Sequence, residues 1–165
     1  MLRDEAAISS EKMKKINLAE VVKSVVDDFK SVYDTKKSIA INFKTNGQNS
    51  YEILAIENRI EQIIANLLEN SISFSEKNQA IDVELAKKDE DKITLIVSDE
   101  GVGFNENDTN KIFNRFYSNR PEKFGEHSGL GLNIVKNLVE IHGGEITASN
   151  NEDKGARIEI NFPKA

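Results

Sequence analysis

The 165-residue sequence contains no cysteine, so disulfide bonds, thiolate metal sites and a cysteine nucleophile are all excluded. Its two histidines, His127 and His142, lie too far apart to suggest a zinc site. No apolar run approaches the ~20 residues that a membrane-spanning helix needs, and the charged N-terminus lacks the apolar core of a signal peptide. The sequence therefore predicts a cytoplasmic domain, and we expect no membrane insertion by this segment.

Basic residues are in the minority, with 22 Lys and Arg against 28 Asp and Glu and a formal net charge of −6. A surface of this sign does not favour binding of nucleic acid, so we expect no nucleic-acid partner. Hydrophobic residues make up 38% of the chain and charged residues 30%, which is typical of one globular domain with a sizeable core.

Two hydrophobic periodicities alternate along the chain and predict both helices and strands. Helical spacing predicts helices over 17–37, 59–73, 108–116 and 130–142. Alternation of apolar with polar residues predicts strands around 39–43, 51–54, 81–85, 93–97, 145–149 and 157–162. This order predicts an α/β fold, a two-layer sandwich in which helices cover one face of a mixed, mostly antiparallel sheet.

Residues 1–16 are charged and weakly patterned, and we expect them to be a tail or the end of an upstream dimerisation helix or linker. Residues 17–165 are expected to form the domain itself. Asn17 and Glu20 have the spacing of a capping box, which predicts the start of the first helix. The polar stretch 117–128 is interpreted as a mobile loop.

The first polar motif lies on the second predicted helix. Asn66 and Asn70 are four residues apart and share one face of that helix. Amide oxygens suit a hard cation such as Mg²⁺, although two solvated asparagines would give the same pattern.

Two glycine-rich motifs follow further along the chain. The run 99–103 (Asp-Glu-Gly-Val-Gly) comes directly after a strand, where a carboxylate can accept a hydrogen bond from an exocyclic amine. Its glycines allow a tight turn and close backbone approach. The run 129–132 (Gly-Leu-Gly-Leu) leads into a helix whose free N–H groups favour a phosphate. A β-turn and a plain helix entry are the ordinary structural alternatives.

Taken in order, and with 113–116 (Phe-Asn-Arg-Phe) and 155–156 (Gly-Ala), these motifs resemble the ATP-binding catalytic domain of sensor histidine kinases. That domain belongs to the GHKL superfamily and has the Bergerat fold. The resemblance covers roughly 17–163, nearly the whole chain. It implies a domain that binds ATP and Mg²⁺ and donates the γ-phosphoryl group to a histidine on a separate, upstream dimerisation domain. It also implies a response regulator receiver domain as a partner, and a parent protein anchored in the bacterial inner membrane.

The resemblance assigns site residues one by one. Asn70 would coordinate Mg²⁺ with Asn66 in support, and both are expected to be catalytic and to contact ATP. Asp99 would contact the adenine amino group. The other expected ATP-binding residues are Ser73, Phe74, Gly101, Gly103, Phe113, Arg115, Phe116, Arg120, Ser128, Gly129, Leu130, Gly131 and Leu132. The 155–156 pair matches a final turn with a structural role.

The chain departs from the family pattern at several positions. Ser73 stands where many members carry Lys or Arg, and Arg115 or Arg120 would supply the missing positive charge. Phe74 replaces a common tyrosine, and Ser128 would serve for a common threonine. The sequence around Phe74 and Arg120 resembles an alphaproteobacterial subgroup typified by the ChvG sensors.

The identity of Asn66 helps to choose among branches of the superfamily. Hydrolysing members such as gyrase, Hsp90 and MutL carry a water-activating glutamate there, and an amide cannot act as a general base. Neither His127 nor His142 lies in the H box that holds the family's phosphoacceptor, so we expect no autophosphorylation by this chain alone. His142 is expected to cap a helix C-terminus. Two alternatives stay open: an inactive nucleotide-binding regulatory module, which Ser73 favours, and a GHKL ATPase.

Overall fold

Strands and helices are interspersed along the chain, as the two periodicities predict. The structure, a computed structural model, describes residues 12–36, 38–47, 50–104, 109–114 and 131–165. The helices are α1 (Leu18–Lys36), α2 (Glu57–Ser73) and α3 (Gly131–Ile141), with a short 3-10 helix at Thr109–Phe113. The strands are β1 (Lys14–Asn17), β2 (Ala40–Thr45), β3 (Glu52–Ala55), β4 (Ala80–Asp89), β5 (Lys92–Asp99), β6 (Glu145–Asn150) and β7 (Ala156–Pro163).

The main sheet has five strands in the order β2-β4-β5-β7-β6. Strands β2 and β4 run parallel, and every other neighbouring pair is antiparallel. The predicted mixed, mostly antiparallel sheet is confirmed. Strand β5 lies at the centre, where Val97 faces Val83 of β4 and Ile158 of β7. The central strand therefore ends with Asp99 in the middle of the sheet rather than at an edge.

The two faces of the sheet differ in polarity. Alternate residues of β4 and β7 are buried and apolar, including Val83 and Ile160, whereas their neighbours Glu84 and Glu159 are not buried. Helix α2 buries its own apolar stripe in the same core, which contains Ile63 and side chains from α1 and α3. The predicted two-layer sandwich with helices on one face is confirmed.

Strand β1 was not predicted from the sequence. It forms a separate two-stranded antiparallel sheet with β3, in which Ile16 faces Ile53. Within Lys14–Asn17 only Ile16 is buried. With one apolar residue among four, this strand shows no alternation of apolar and polar residues in the sequence. Asn17 then caps α1, because its Oδ1 accepts a hydrogen bond from Ala19 N at 3.1 Å.

The short helix expected over 108–116 is observed as a single 3-10 helix, Thr109–Phe113. One turn of this kind is the usual form of a short connecting helix. In the described part of the chain, no helix is long and apolar enough to cross a membrane.

Candidate nucleotide-binding site

Helix α2 carries the two asparagines of the first motif. Its apolar stripe holds the helix on the core, and Asn66 and Asn70 follow on one face near its C-terminal half. Asn66 is half-buried, whereas Asn70 is only 4% exposed. Burying an amide is unfavourable unless it is hydrogen-bonded, so the alternative of two solvated asparagines does not describe Asn70.

At the C-terminal end of α2, two serine hydroxyl groups donate hydrogen bonds to backbone carbonyl groups of the helix. Ser73 Oγ donates to Glu69 O at 2.9 Å, and Ser75 Oγ donates to Ser71 O at 2.7 Å. Phe74 is the C-cap residue, and its side chain is buried. Ser73 is therefore bonded within its helix, and its contact with ATP stays a prediction.

Asp99 ends the central strand and is 2% exposed. Its Oδ1 accepts hydrogen bonds from two backbone groups, Gly101 N at 2.9 Å and Ala156 N at 3.2 Å. Charge-assisted bonds of this kind are strong and orient a carboxylate. Asp99 thus has a fixed side chain inside the fold, unlike the solvated residue of an ordinary β-turn.

At the two glycine positions after Asp99, neighbouring protein groups leave no room for a side chain. A Cβ on Gly101 would overlap the carbonyl oxygen of Phe74 and lie 3.0 Å from its carbonyl carbon. Gly103 has φ +74°, and a Cβ there would lie 2.8 Å from Asn150 Oδ1. The sequence predicts that the backbone at these glycines comes close to another group. In the structure those groups are the end of α2 and a residue of strand β6.

The described part of the glycine-leucine motif lies at the start of α3. Among the described residues, apart from the backbone of its own helix, no heavy atom lies within 4 Å of the position that a Cβ on Gly131 would take. Leu132 is buried in the core and holds the helix start against it. The first turn of α3 contains no acidic residue. Because helix N-termini attract anions, this end of α3 is suited to a phosphate.

Phe113 anchors the 3-10 helix on α3. Its side chain is buried, and Lys136 Nζ lies 6.0 Å from the centroid of its ring. Asn133 Nδ2 donates to Phe113 O at 3.1 Å. These contacts hold the 3-10 helix against α3, but they do not test a contact of Phe113 with ATP.

Several expected site residues lie outside the described part of the chain. They are Arg115, Phe116, Arg120, Ser128, Gly129 and Leu130. His127 is outside it as well. Their roles stay predictions.

Contacts between elements bring the described motifs into one region. Gly101 of the turn after β5 packs on the carbonyl of Phe74 at the end of α2. Helices α2 and α3 pack against each other. The asparagine helix and the buried Asp99 are therefore neighbours in the fold, and α3 packs against the same helix.

Sequence reasoning gave the 155–156 pair of the β6–β7 turn a structural role, but it missed the side chains of Asn150 and Asn151 beside that turn. Asn150 and Asn151 bond to the backbone of the turn after β5, at Phe104 and Asp99. Neither asparagine belongs to a motif with a spacing that could have predicted these bonds.

His142 was expected to cap a helix, and it does so with an additional contact. Its Nδ1 donates to Leu138 O at 2.7 Å, and its Nε2 accepts from Ile56 N at 3.1 Å. Since Ile56 N can only donate, the buried ring is a neutral imidazole with its proton on Nδ1. It ties the end of α3 to the start of α2.

Comparison with protein families gives one matching model over most of the fold. The family described as histidine kinase-, DNA gyrase B-, and HSP90-like ATPase matches residues 55–165. The chain is 38% identical over 162 residues to the sensor protein ChvG of Agrobacterium fabrum, covering 91% of this chain and 27% of that protein. It is 36% identical to the ChvG protein of Rhizobium meliloti, covering 94% and 28%. The chain thus spans about a quarter of the length of these relatives.

Solved structures give the same result for the fold. The nucleotide-free catalytic domain of histidine kinase ThkA superposes with a TM-score of 0.79 at 26% identity, covering 93% of this chain and 98% of that domain. ThkA in complex with the response regulator protein TrrA superposes with a TM-score of 0.78 at 26% identity, covering 99% of this chain and 46% of ThkA.

Proposed function

The chain belongs to the family of histidine kinase-, DNA gyrase B- and HSP90-like ATPases, as a histidine kinase ATP-binding domain, and from this we propose its reaction. It binds ATP with Mg²⁺ and donates the γ-phosphoryl group to a histidine on a separate dimerisation domain. The observation that carries the proposal is the close packing of the turn after the buried Asp99 on the end of the helix that carries the buried Asn70, with α3 packed against the same helix. The domain boundary, 17–165 after an N-terminal segment, is part of the proposal.

Each described residue has a chemical role in this proposal. The carboxylate of Asp99, held by two backbone N–H groups, accepts a hydrogen bond from the adenine amino group. The amide of Asn70, supported by Asn66, provides an oxygen ligand of the kind Mg²⁺ accepts beside phosphate and water. When bound, Mg²⁺ would neutralise charge on the phosphates as the phosphoryl group leaves. The first turn of α3 offers backbone N–H groups to the same phosphates.

The phosphoacceptor is not His142. Both nitrogens of that buried ring are hydrogen-bonded, to Leu138 O and Ile56 N, and a phosphoryl group would displace one of these bonds. Since neither His127 nor His142 lies in an H box, the proposal assigns the phosphoacceptor to a histidine on another domain. We also infer that a response regulator receives the phosphoryl group, as ThkA is seen in complex with one. A cytoplasmic position of this domain in a parent protein of the inner membrane stays a prediction.

The two alternatives are less well supported. Asn66 offers no general base, which argues against a hydrolysing ATPase. Ser73 is the residue that favours an inactive regulatory module, yet the relatives that match over nearly the whole chain are sensor proteins. The histidine kinase function is therefore the one we propose.

Transfer of labelled phosphate from ATP tests the proposal. The chain is mixed with labelled ATP, Mg²⁺ and the H-box dimerisation domain of a ChvG protein, and acid-labile label on that domain is measured. We expect label that depends on this chain and is reduced by Asn70→Asp. Binding of ATP without any transfer would favour the regulatory module, and sustained release of phosphate would favour the ATPase.

A further inference from the structure

We propose that Asn150 and Asn151, at the turn between β6 and β7, are positioning residues that set the adenine selectivity of Asp99. This inference rests on the proposed function, because it concerns how the adenine-contacting carboxylate is held. In this proposal neither side chain touches the nucleotide. Both act through the segment 99–104, which leaves the sheet at the end of β5.

Asn151 holds the first residue of that segment. Its Nδ2 donates to Asp99 O at 3.0 Å, and the same group lies 3.3 Å from Lys154 O. The backbone N of Asn151 donates to Gly155 O at 2.9 Å and closes the turn. The amide is thus oriented by its own turn before it reaches Asp99, 52 residues away in sequence.

Asn150 holds the last residue of the segment. Its Oδ1 accepts from Phe104 N at 2.8 Å, and its Nδ2 donates to Phe104 O at 3.0 Å. One side chain therefore satisfies both backbone groups of Phe104, as a neighbouring strand would do. The close approach also explains the glycine at 103, where a Cβ would lie 2.8 Å from Asn150 Oδ1.

The far side of the same turn contacts Asp99 directly. Ala156 N donates to the carboxylate at 3.2 Å. Gly155 has φ +99°, and a Cβ there would overlap the carbonyl oxygen of Asp99 and lie 2.7 Å from its carbonyl carbon. Main chain and carboxylate of Asp99 are therefore both fixed by the β6–β7 turn.

The consequence is a division of roles within the site. Asp99 supplies the acceptor, while Asn150 and Asn151 fix the backbone from which its side chain extends. Catalytic and binding groups lose efficiency when supporting hydrogen bonds no longer hold them in place. Loss of either asparagine should therefore change the discrimination between adenine and guanine, as well as the stability of the domain.

Asn161 provides a matched control on the same hairpin. Its Oδ1 accepts from Thr94 Oγ1 at 2.6 Å on the opposite face of the sheet. Asn161→Ala removes an asparagine side-chain bond from β7 without touching the turn or Asp99. This variant therefore measures how the loss of a hydrogen bond remote from Asp99 affects nucleotide binding.

The experiment compares Asn150→Ala, Asn151→Ala and Asn161→Ala with the unchanged chain. Calorimetry gives the Kd for ATP and for GTP, each with Mg²⁺, and thermal unfolding gives stability. Losing one net hydrogen bond corresponds to about a fivefold change in an equilibrium constant. We expect the ATP-to-GTP preference to fall about fivefold in the Asn150 and Asn151 variants and to stay unchanged in the Asn161 variant.

An unchanged ATP-to-GTP preference in the Asn150 and Asn151 variants, with lower stability in all three, would overturn the inference. The two asparagines would then stabilise the turn without affecting nucleotide selectivity. If the unchanged chain binds neither nucleotide, the proposed function falls first and the inference with it. Should Asn151→Ala fail to fold, Asn151→Ser, which keeps a small donor, replaces it under the same criterion.

Discussion

Adding one methyl group at Gly101 should separate the end of α2 from the turn that carries Asp99. The Cβ of Gly101→Ala would overlap the carbonyl oxygen of Phe74, lie 3.0 Å from its carbonyl carbon and lie 3.2 Å from Asp99 Oδ1. All three atoms are held, two by the backbone and one by hydrogen bonds. Since no flexible side chain can move aside, the backbone must shift.

Overpacking of this kind costs about 1–3 kcal/mol of the free energy of unfolding. For a domain of this size, each kcal/mol corresponds to roughly 2–4 °C in Tm. We therefore expect Gly101→Ala to lower Tm by about 2–12 °C, measured by circular dichroism at 222 nm without nucleotide and checked by urea unfolding.

Gly131→Ala is the matched control, because it makes the same change at the start of α3. Within the described ranges, nothing outside the backbone of that helix lies within 4 Å of the added Cβ. Alanine is the better helix former by up to about 1 kcal/mol, so this variant should be neutral or slightly more stable. Equal Tm values for Gly101→Ala and Gly131→Ala would refute the account of close packing between α2 and the Asp99 turn.

Two further predictions concern the helices. His142→Ala should lower the free energy of unfolding by about 1–3 kcal/mol, because it leaves the buried N–H of Ile56 without its acceptor. Urea unfolding measures this, and His142→Gln, with an amide oxygen, should lose less. Lys23→Ala should leave the urea midpoint at neutral pH unchanged, because the ion pair of Lys23 with Asp27 is exposed. The hydrogen bond from Lys23 lowers the pKa of Asp27, so any stabilisation is present above the ordinary carboxyl pKa and is lost as the pH falls through the lowered one. A midpoint that drops at neutral pH would contradict this.

The elements with a strong periodicity were predictable from the sequence. The helix expected over 17–37 is observed as Leu18–Lys36, and the strands around Val83 and Leu95 are the centre of the sheet. These segments bury one regular face, so local spacing carries the information. Strand β1 was missed because it buries only Ile16 and gains its place by pairing with β3.

The site was predictable only in part, for a similar reason. Motif order indicates Asn70 and Asp99, and the buried positions of both agree with a site inside the fold. What holds Asp99 comes from far along the chain: the bonds from Asn151 and Ala156 span 52 and 57 residues. Hydrogen bonds across such distances leave no period in the sequence, so they could be found only in the folded structure.

Calorimetric titration of the chain with ATP and with GTP, each with and without Mg²⁺, is the direct test of adenine recognition by Asp99. We expect ATP binding that depends on Mg²⁺ and exceeds GTP binding by at least about tenfold, as expected for a hydrogen bond to a charged group. Asp99→Asn should remove most of that preference. Equal binding of the two nucleotides, or an Asp99→Asn variant that prefers ATP as strongly as the unchanged chain, would contradict the assignment of Asp99 to adenine.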